Sequence, residues 1–183
     1  MLFPRWIYRF RTYLACPPLI FALIWQQNET ETEGLIWLTG LGIFLLGVGL
    51  RIWAQQHLHH RLRVHKQLTT KGPYQFVRNP LYISNIMICA SATIISELLW
   101  LVPVTLLWCI LTYSIVIRYE EARLLNKYGD EYHRYLLEVP RWFPIMASLE
   151  KLELINKHLY QAVLVELPCL LLLLPFVIKE IVS

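Results

Sequence analysis

Four long apolar stretches constrain the fold of this chain more than any other feature of its sequence. They cover approximately Tyr13–Gln26, Leu35–Ala54, Leu98–Ile117 and Tyr160–Ile178. A helix needs about 20 mostly apolar residues to cross a bilayer, and the first stretch is short and contains Pro17 and Pro18. A fifth stretch, Leu81–Ser96, is more polar, and we interpret it with the stretch that follows as a helical hairpin.

The alternative to membrane helices is a soluble domain with five buried core helices. The chain has 183 residues, of which 56% are apolar and only 16% charged, whereas a soluble domain averages about a quarter charged residues. Five apolar helices in so short a soluble chain would leave too little polar surface to cover them. The sequence therefore predicts an all-α integral membrane bundle of about five transmembrane helices.

The basic residues predict the orientation of this bundle. The segment before the first span and the segments 57–80 and 118–157 are rich in Arg and Lys, whereas the segment between the first two spans carries only acidic charges. With five spans, all three basic segments lie on the same side, which the positive-inside rule assigns to the cytoplasm. We therefore expect a multi-pass protein of a bacterial inner membrane or the endoplasmic reticulum, with a cytoplasmic N-terminus and a cofactor pocket on that side.

The first polar segment, His57–Pro80, contains residues that shape the backbone. Gly72 permits backbone angles that other residues avoid, and Pro80 favours a helix that starts at or after it. Gly-Pro and Asn-Pro are also common turn formers, so each dipeptide alone indicates only a turn.

The second polar segment, Arg118–Leu159, continues the helical periodicity of the stretch Leu98–Ile117 to about Lys127, and Gly129 is expected to end the helix. Two adjacent acids, Glu120 and Glu121, lie at the inner end of this helix. They either belong to a solvated helix end or, if one faces the bundle, mark a functional site, because buried acids are costly in membranes.

Together the two segments carry a specific set of motifs. The first reads Gly-Pro-Tyr at 72–74, Val-Arg-Asn-Pro at 77–80 and then Tyr82; about 40 residues later come Arg-Tyr-Glu-Glu at 118–121, Tyr-Gly-Asp-Glu-Tyr at 128–132 and Val-Pro-Arg-Trp at 139–142. This order and spacing resemble the isoprenylcysteine carboxyl methyltransferase family, in the wider group of membrane phospholipid methyltransferases. The resemblance covers 57–144, the catalytic part of a single domain 1–183 that ends in a membrane helix at 160–178.

The resemblance implies a membrane methyltransferase that uses S-adenosyl-L-methionine. The implied cofactor-binding residues are His65, Leu68, Tyr74, Asn79, Pro80, Leu81, Tyr82 and Glu120, and the implied catalytic residues are Arg118, Glu120 and Glu121. The family usually has a histidine where this chain has Asn79, but an amide also donates and accepts hydrogen bonds. Where the family has a histidine six residues before the glycine, this chain has Lys66, with His65 beside it.

These residue types suit methyl transfer from a sulfonium donor. Glu120 can bind the donor's ammonium group, Tyr74 and Tyr82 can offer aromatic faces to a cation, and Arg118 can orient a carboxylate or phosphate of the acceptor. A carboxylate acceptor is already ionised near neutral pH, whereas an amine would need a base such as Glu121 or a histidine. We expect a lipid-like acceptor that enters from the bilayer, either an isoprenylcysteine carboxylate or a phospholipid amine.

Other functions are less favoured by the sequence. A non-catalytic membrane scaffold of the same fold stays open, while a membrane reductase is disfavoured because the chain is short and has no second nucleotide signature. His57, His59 and His60 have no acid or cysteine nearby to complete a metal site, so we expect a basic patch that touches membrane lipids. The net charge of +4 does not favour nucleic-acid binding.

Overall fold

Every regular element that the structure describes is helical, which confirms the predicted all-α class. The computed structural model describes residues 8–11, 13–25, 33–64, 68–145, 154–155 and 158–182. The α-helices are α1 (Cys16–Ile24), α2 (Glu33–Val64), α3 (Pro80–Ile95), α4 (Leu101–Tyr128), α5 (Asp130–Glu138), α6 (Leu159–Leu170) and α7 (Leu174–Val182), and short 3₁₀ turns cover Tyr13–Ala15, Gly72–Gln75 and Leu171–Leu173.

Three helical segments of the described chain are long and apolar enough to cross a membrane. They are Gly34–Leu58 within α2, the whole of α4, and Leu159–Lys179, which joins α6 to α7. Helix α3 is apolar but has 16 residues, and α1 has only nine, fewer than the predicted stretch. Two prolines lie in the first turn of α1, where a missing backbone N–H is tolerated. The count of five spans stays a prediction.

The outer surface of the bundle is apolar, as a lipid-facing surface requires. Large side chains are exposed along the long helices, among them Leu38, Leu45 and Leu46 of α2, Leu107 and Leu111 of α4, and Leu164 of α6. The buried core lies between α1, α2, α3, α4 and α7, and includes Phe44, Ile88, Tyr113 and Phe176. In lipid such a bundle is stabilised by close packing rather than by burial from water.

Helices α2 and α3 pack closely and run antiparallel. A Cβ atom on Gly47 would lie 3.1 Å from Cβ of Met87, and a Cβ on Gly40 would lie 2.6 Å from Cγ1 of Ile95, so small residues permit the contact. The turn after α3 contains Glu97 at φ 57°, close to the predicted hairpin turn. The end of α2, the start of α3 and the end of α4 therefore meet at one end of the bundle.

Polar side chains inside the bundle fix the C-terminal helices. Arg51 of α2 donates hydrogen bonds to Glu166 of α6 and to Asn85 of α3, and the Glu166 side chain is only 2% exposed. A charge at this depth is tolerated because it is paired. Lys179 Nζ donates to the carbonyl oxygens of Ala22, at 2.9 Å, and Trp25, at 2.6 Å, and thereby caps the end of α1.

Candidate active site

The loop between α2 and α3 is shaped by a glycine in a left-handed conformation. Gly72 has φ +62°, and a Cβ atom there would lie 2.6 Å from the His57 imidazole. The ring of His57 is buried and its Nδ1 lies 2.9 Å from the Trp53 carbonyl oxygen. Helix α3 then begins at Pro80, as the sequence predicts.

Replacing Gly72 with alanine is expected to destabilise the protein by about 2–4 kcal/mol, because the left-handed backbone costs about 1–2 kcal/mol and the methyl group overlaps the imidazole of His57. The melting temperature in detergent measures this loss. The matched control is the same substitution in a His57→Ala background, which lacks the overlapping imidazole. Gly72→Ala should cost more in the wild type than in this background; equal losses would contradict the steric account.

A return segment, residues 139–145, follows α5 and runs back along this loop. The Arg78 backbone N–H donates to the Pro140 carbonyl at 2.9 Å, and the Ile145 N–H donates to the Phe76 carbonyl at 3.1 Å. The Asn79 side-chain amide lies 3.4 Å from the Arg141 carbonyl oxygen. The loop before α3 is therefore held by the segment that the Val-Pro-Arg-Trp motif encodes.

Glu121 of α4 joins the loop and the return segment electrostatically. Arg141 binds its carboxylate in a bidentate manner, with Nε at 3.0 Å from one oxygen and Nη2 at 2.5 Å from the other. Arg78 Nη1 lies 3.2 Å from the first of these oxygens. The hydrogen bond to Glu121 raises the pKa of Arg141. One carboxylate thus serves two guanidinium groups and fixes their positions.

Glu120 points to a different partner. The Tyr82 hydroxyl, in the first turn of α3, donates a hydrogen bond of 2.9 Å to its carboxylate. The ring of Tyr82 packs against that of Tyr113, with centroids 5.2 Å apart. Tyr82 and Glu120 line the same cavity, which has a volume of about 290 Å³.

Three more tyrosines surround this cavity from the loop and α5. The Tyr135 hydroxyl donates to the Tyr74 carbonyl oxygen at 2.7 Å, and the rings of Tyr132 and Tyr135 are 5.9 Å apart. Burial raises the pKa of all three phenols, and the charge of Glu121 raises that of Tyr132 further. Near neutral pH these phenols are therefore hydrogen-bond donors rather than bases.

The structure brings most of the predicted site residues together. Leu68, Tyr74, Asn79, Pro80, Leu81, Tyr82, Glu120 and Glu121 all line the cavity. His65 lies outside the described residues. Arg118 is exposed and does not line the cavity, so the structure does not place it with the other predicted site residues. The roles of these residues remain predictions.

Other cavity residues were missed by the sequence analysis. Arg123 and Lys127 follow Glu120 at helical spacings of three and seven, so the periodicity of α4 carries the signal that they share its face. Tyr8 and Arg11 also line the cavity. No spacing relates these two residues to α4, because their contact depends on how the N-terminal segment packs.

The fold and the site define a class: a helical membrane protein with a ligand-sized cavity at one end of the bundle, lined by apolar, aromatic and charged side chains. Within that class, the chain belongs to the phospholipid methyltransferase family, whose model matches residues 35–131, just over half of the chain. This confirms the wider group that the motifs indicate, and it supports methyltransferase activity. No solved structure gives a significant match.

Two curated proteins are similar to this chain. The nickel-cobalt-cadmium resistance protein NccN of Alcaligenes xylosoxydans xylosoxydans is 32% identical over 120 residues, which cover 65% of this chain and 54% of the relative. The cobalt-zinc-cadmium resistance protein CzcN of Cupriavidus metallidurans is 33% identical over 110 residues, 60% of this chain and 49% of the relative. The matches thus span about half the length of these relatives. Within the described residues, no group of three or more His, Cys, Asp or Glu side chains is placed to hold a metal ion.

Proposed function

We propose that this protein is a membrane methyltransferase that uses S-adenosyl-L-methionine and methylates a lipophilic acceptor. The observation that carries the proposal is the hydrogen bond between Tyr82 and Glu120 in a single cavity. These residues come from two helices of the predicted hairpin, and both were expected at the cofactor from their motifs.

The residues of the cavity fit this cofactor, which has an ammonium group and a sulfonium cation. The volume of the cavity, about 290 Å³, is near the lower end of the range for small-molecule sites, roughly 300–1,000 Å³. Glu120 supplies a carboxylate for the ammonium group, and the Tyr82 hydroxyl fixes that carboxylate. Tyr74 and Tyr82 supply aromatic rings, which attract cations.

When bound, the cofactor supplies a methyl group whose bond to sulfur breaks as a bond to the acceptor forms, with the electron pair leaving on sulfur. The chain's own residues hold the two reactants in line, which is an orientation effect. Glu120 fixes one end of the donor, while the loop 72–80 and α5 enclose the cavity. The hydrogen bond from Tyr135 to the Tyr74 backbone keeps the loop in place.

The described cavity residues favour a carboxylate acceptor such as an isoprenylcysteine. An amine must lose a proton before it attacks, but Glu121 is held by Arg78 and Arg141 and the buried tyrosines are neutral. A carboxylate needs no base. A phospholipid amine is the second candidate, favoured by the description of the family.

We further propose that the cavity faces the cytoplasm in a multi-pass protein. The cavity lies at the end of the bundle where the basic segment 57–80 meets α4, and basic segments prefer the cytoplasmic side. An acceptor with a lipid tail would then enter sideways from the inner leaflet.

The test uses the full chain in detergent or nanodiscs. Calorimetric titration with S-adenosyl-L-methionine should give saturable binding, and methyl-labelled donor should label either a farnesylated cysteine analogue or total membrane lipid. Alkaline hydrolysis separates the acceptors, because it releases labelled methanol from a methyl ester but leaves an N-methyl group intact. A folded protein that binds no donor would rule out the enzyme and favour a non-catalytic scaffold.

A further inference from the structure

The N-terminal segment contributes two residues to the cavity. Tyr8 packs against Tyr119 of α4, with ring centroids 5.5 Å apart, and both Tyr8 and Arg11 line the cavity. This segment lies outside residues 35–131, which the family model matches. The motifs of the two polar segments assign it no role either.

Two arginines share the ring of Tyr8. The guanidinium carbon of Arg11 lies 4.4 Å from the ring centroid, and that of Arg123 of α4 lies 5.6 Å from it. A guanidinium held over an aromatic ring keeps N–H groups available for other acceptors. Arg11 uses one of them, since its Nη1 donates to the Tyr8 carbonyl oxygen at 3.3 Å. Both cations lie beside the same ring, so an anion bound next to that ring is attracted by both of them.

The cavity carries an excess of positive charge that its own acids do not offset. Of the charged side chains that line it in the described chain, the cations are Arg11, Arg78, Arg123 and Lys127, and the acids are Glu120 and Glu121. Glu121 already binds Arg78 and Arg141, and Glu120 already accepts from Tyr82. The excess lies on the side formed by the N-terminal segment and α4.

We propose that Arg11 and Arg123, held on Tyr8, form a binding subsite for an anionic oxygen group, a phosphate or a carboxylate. Guanidinium groups bind both through parallel charge-assisted hydrogen bonds. The inference rests on the proposed function for the source of this group, which is either the lipid-like acceptor or the carboxylate of the methyl donor.

The first experiment does not depend on methyl transfer. Inorganic phosphate is titrated into the full chain in detergent, with the melting temperature as the readout. Phosphate should raise the melting temperature of the wild type and of Arg134→Gln, a control at an exposed arginine of α5 outside the cavity. The response should be lost in Arg11→Gln/Arg123→Gln. An equal response in all three proteins would overturn the proposal, even if donor binding is intact.

The second experiment identifies the source of the anionic group. The donor dissociation constant is measured calorimetrically without acceptor, and the KM for farnesylated cysteine is measured at saturating donor. Each single Arg→Gln variant should raise one of these two constants about tenfold, as expected for a charge-assisted hydrogen bond, while Arg134→Gln keeps the wild-type values. A rise in the donor constant assigns the subsite to the donor carboxylate, and a rise in KM alone assigns it to the acceptor. If both constants stay at the Arg134→Gln values, the subsite is refuted.

Discussion

Replacing Glu120 with glutamine should weaken donor binding by about 10- to 100-fold and reduce methyl transfer to a similar or greater extent. The side chain keeps its shape and can still accept the hydrogen bond from Tyr82, so the fold should be preserved while the negative charge is lost. A hydrogen bond to a charged group is worth about 1.5–3 kcal/mol, which corresponds to this loss of affinity. Calorimetry with S-adenosyl-L-methionine measures it directly.

Two further variants make this result specific. Glu131→Gln removes an acid from the exposed first turn of α5, outside the cavity, and should bind the donor with wild-type affinity. Tyr82→Phe removes the hydroxyl that orients Glu120 but keeps the carboxylate, so its loss should be smaller than that of Glu120→Gln. Unchanged donor affinity in Glu120→Gln would remove this residue from the binding site.

Replacing Glu121 with glutamine should destabilise the protein by about 2–4 kcal/mol. Removing one partner of a buried ion pair costs about 3–5 kcal/mol because a charge stays behind, and partial exposure of Arg141, at 32%, reduces that cost. The variant leaves two guanidinium groups close together with no carboxylate between them. The melting temperature in detergent should fall, and hydrogen exchange of the return segment should rise.

A second substitution tests whether this loss comes from the stranded charges. Arg141→Gln added to Glu121→Gln removes one of the two cations, so the double variant should lose less stability than the two single variants added together. Glu138→Gln, at an exposed acid of α5 outside the cavity, should have no effect. Strict additivity would show that Glu121 and Arg141 act independently, contrary to their bidentate contact.

Local signals in the sequence predict several helix ends correctly. Pro80 begins α3, and Gly129, at φ +54°, ends α4 directly after Tyr128. These predictions succeed because proline and glycine act through their own backbone angles. The predicted stretch Tyr13–Gln26 is less accurate, since α1 covers only Cys16–Ile24. Hydropathy alone does not indicate the residue at which a helix begins or ends.

In the candidate site as well, the sequence predicted some residues correctly and others not. Tyr82 and Glu120 were expected in one cavity from their motifs, and the structure places them 2.9 Å apart. Arg118 was also expected there, but the winding of α4 turns it to an exposed face. Glu121 could pair with Arg118 by helical spacing alone, whereas in the structure it pairs with Arg78 and Arg141, which lie 43 and 20 residues away along the chain.

By itself, the sequence determined the helical class of this protein, its apolar surface and the two segments that carry its polar chemistry, because periodicity and composition act over short distances along the chain. Only the tertiary structure decided that Arg51 pairs with Glu166, that the return segment holds the loop, and that Tyr8 and Arg11 reach the cavity. These contacts join residues far apart in sequence. They depend on how the helices pack, and no local pattern specifies that.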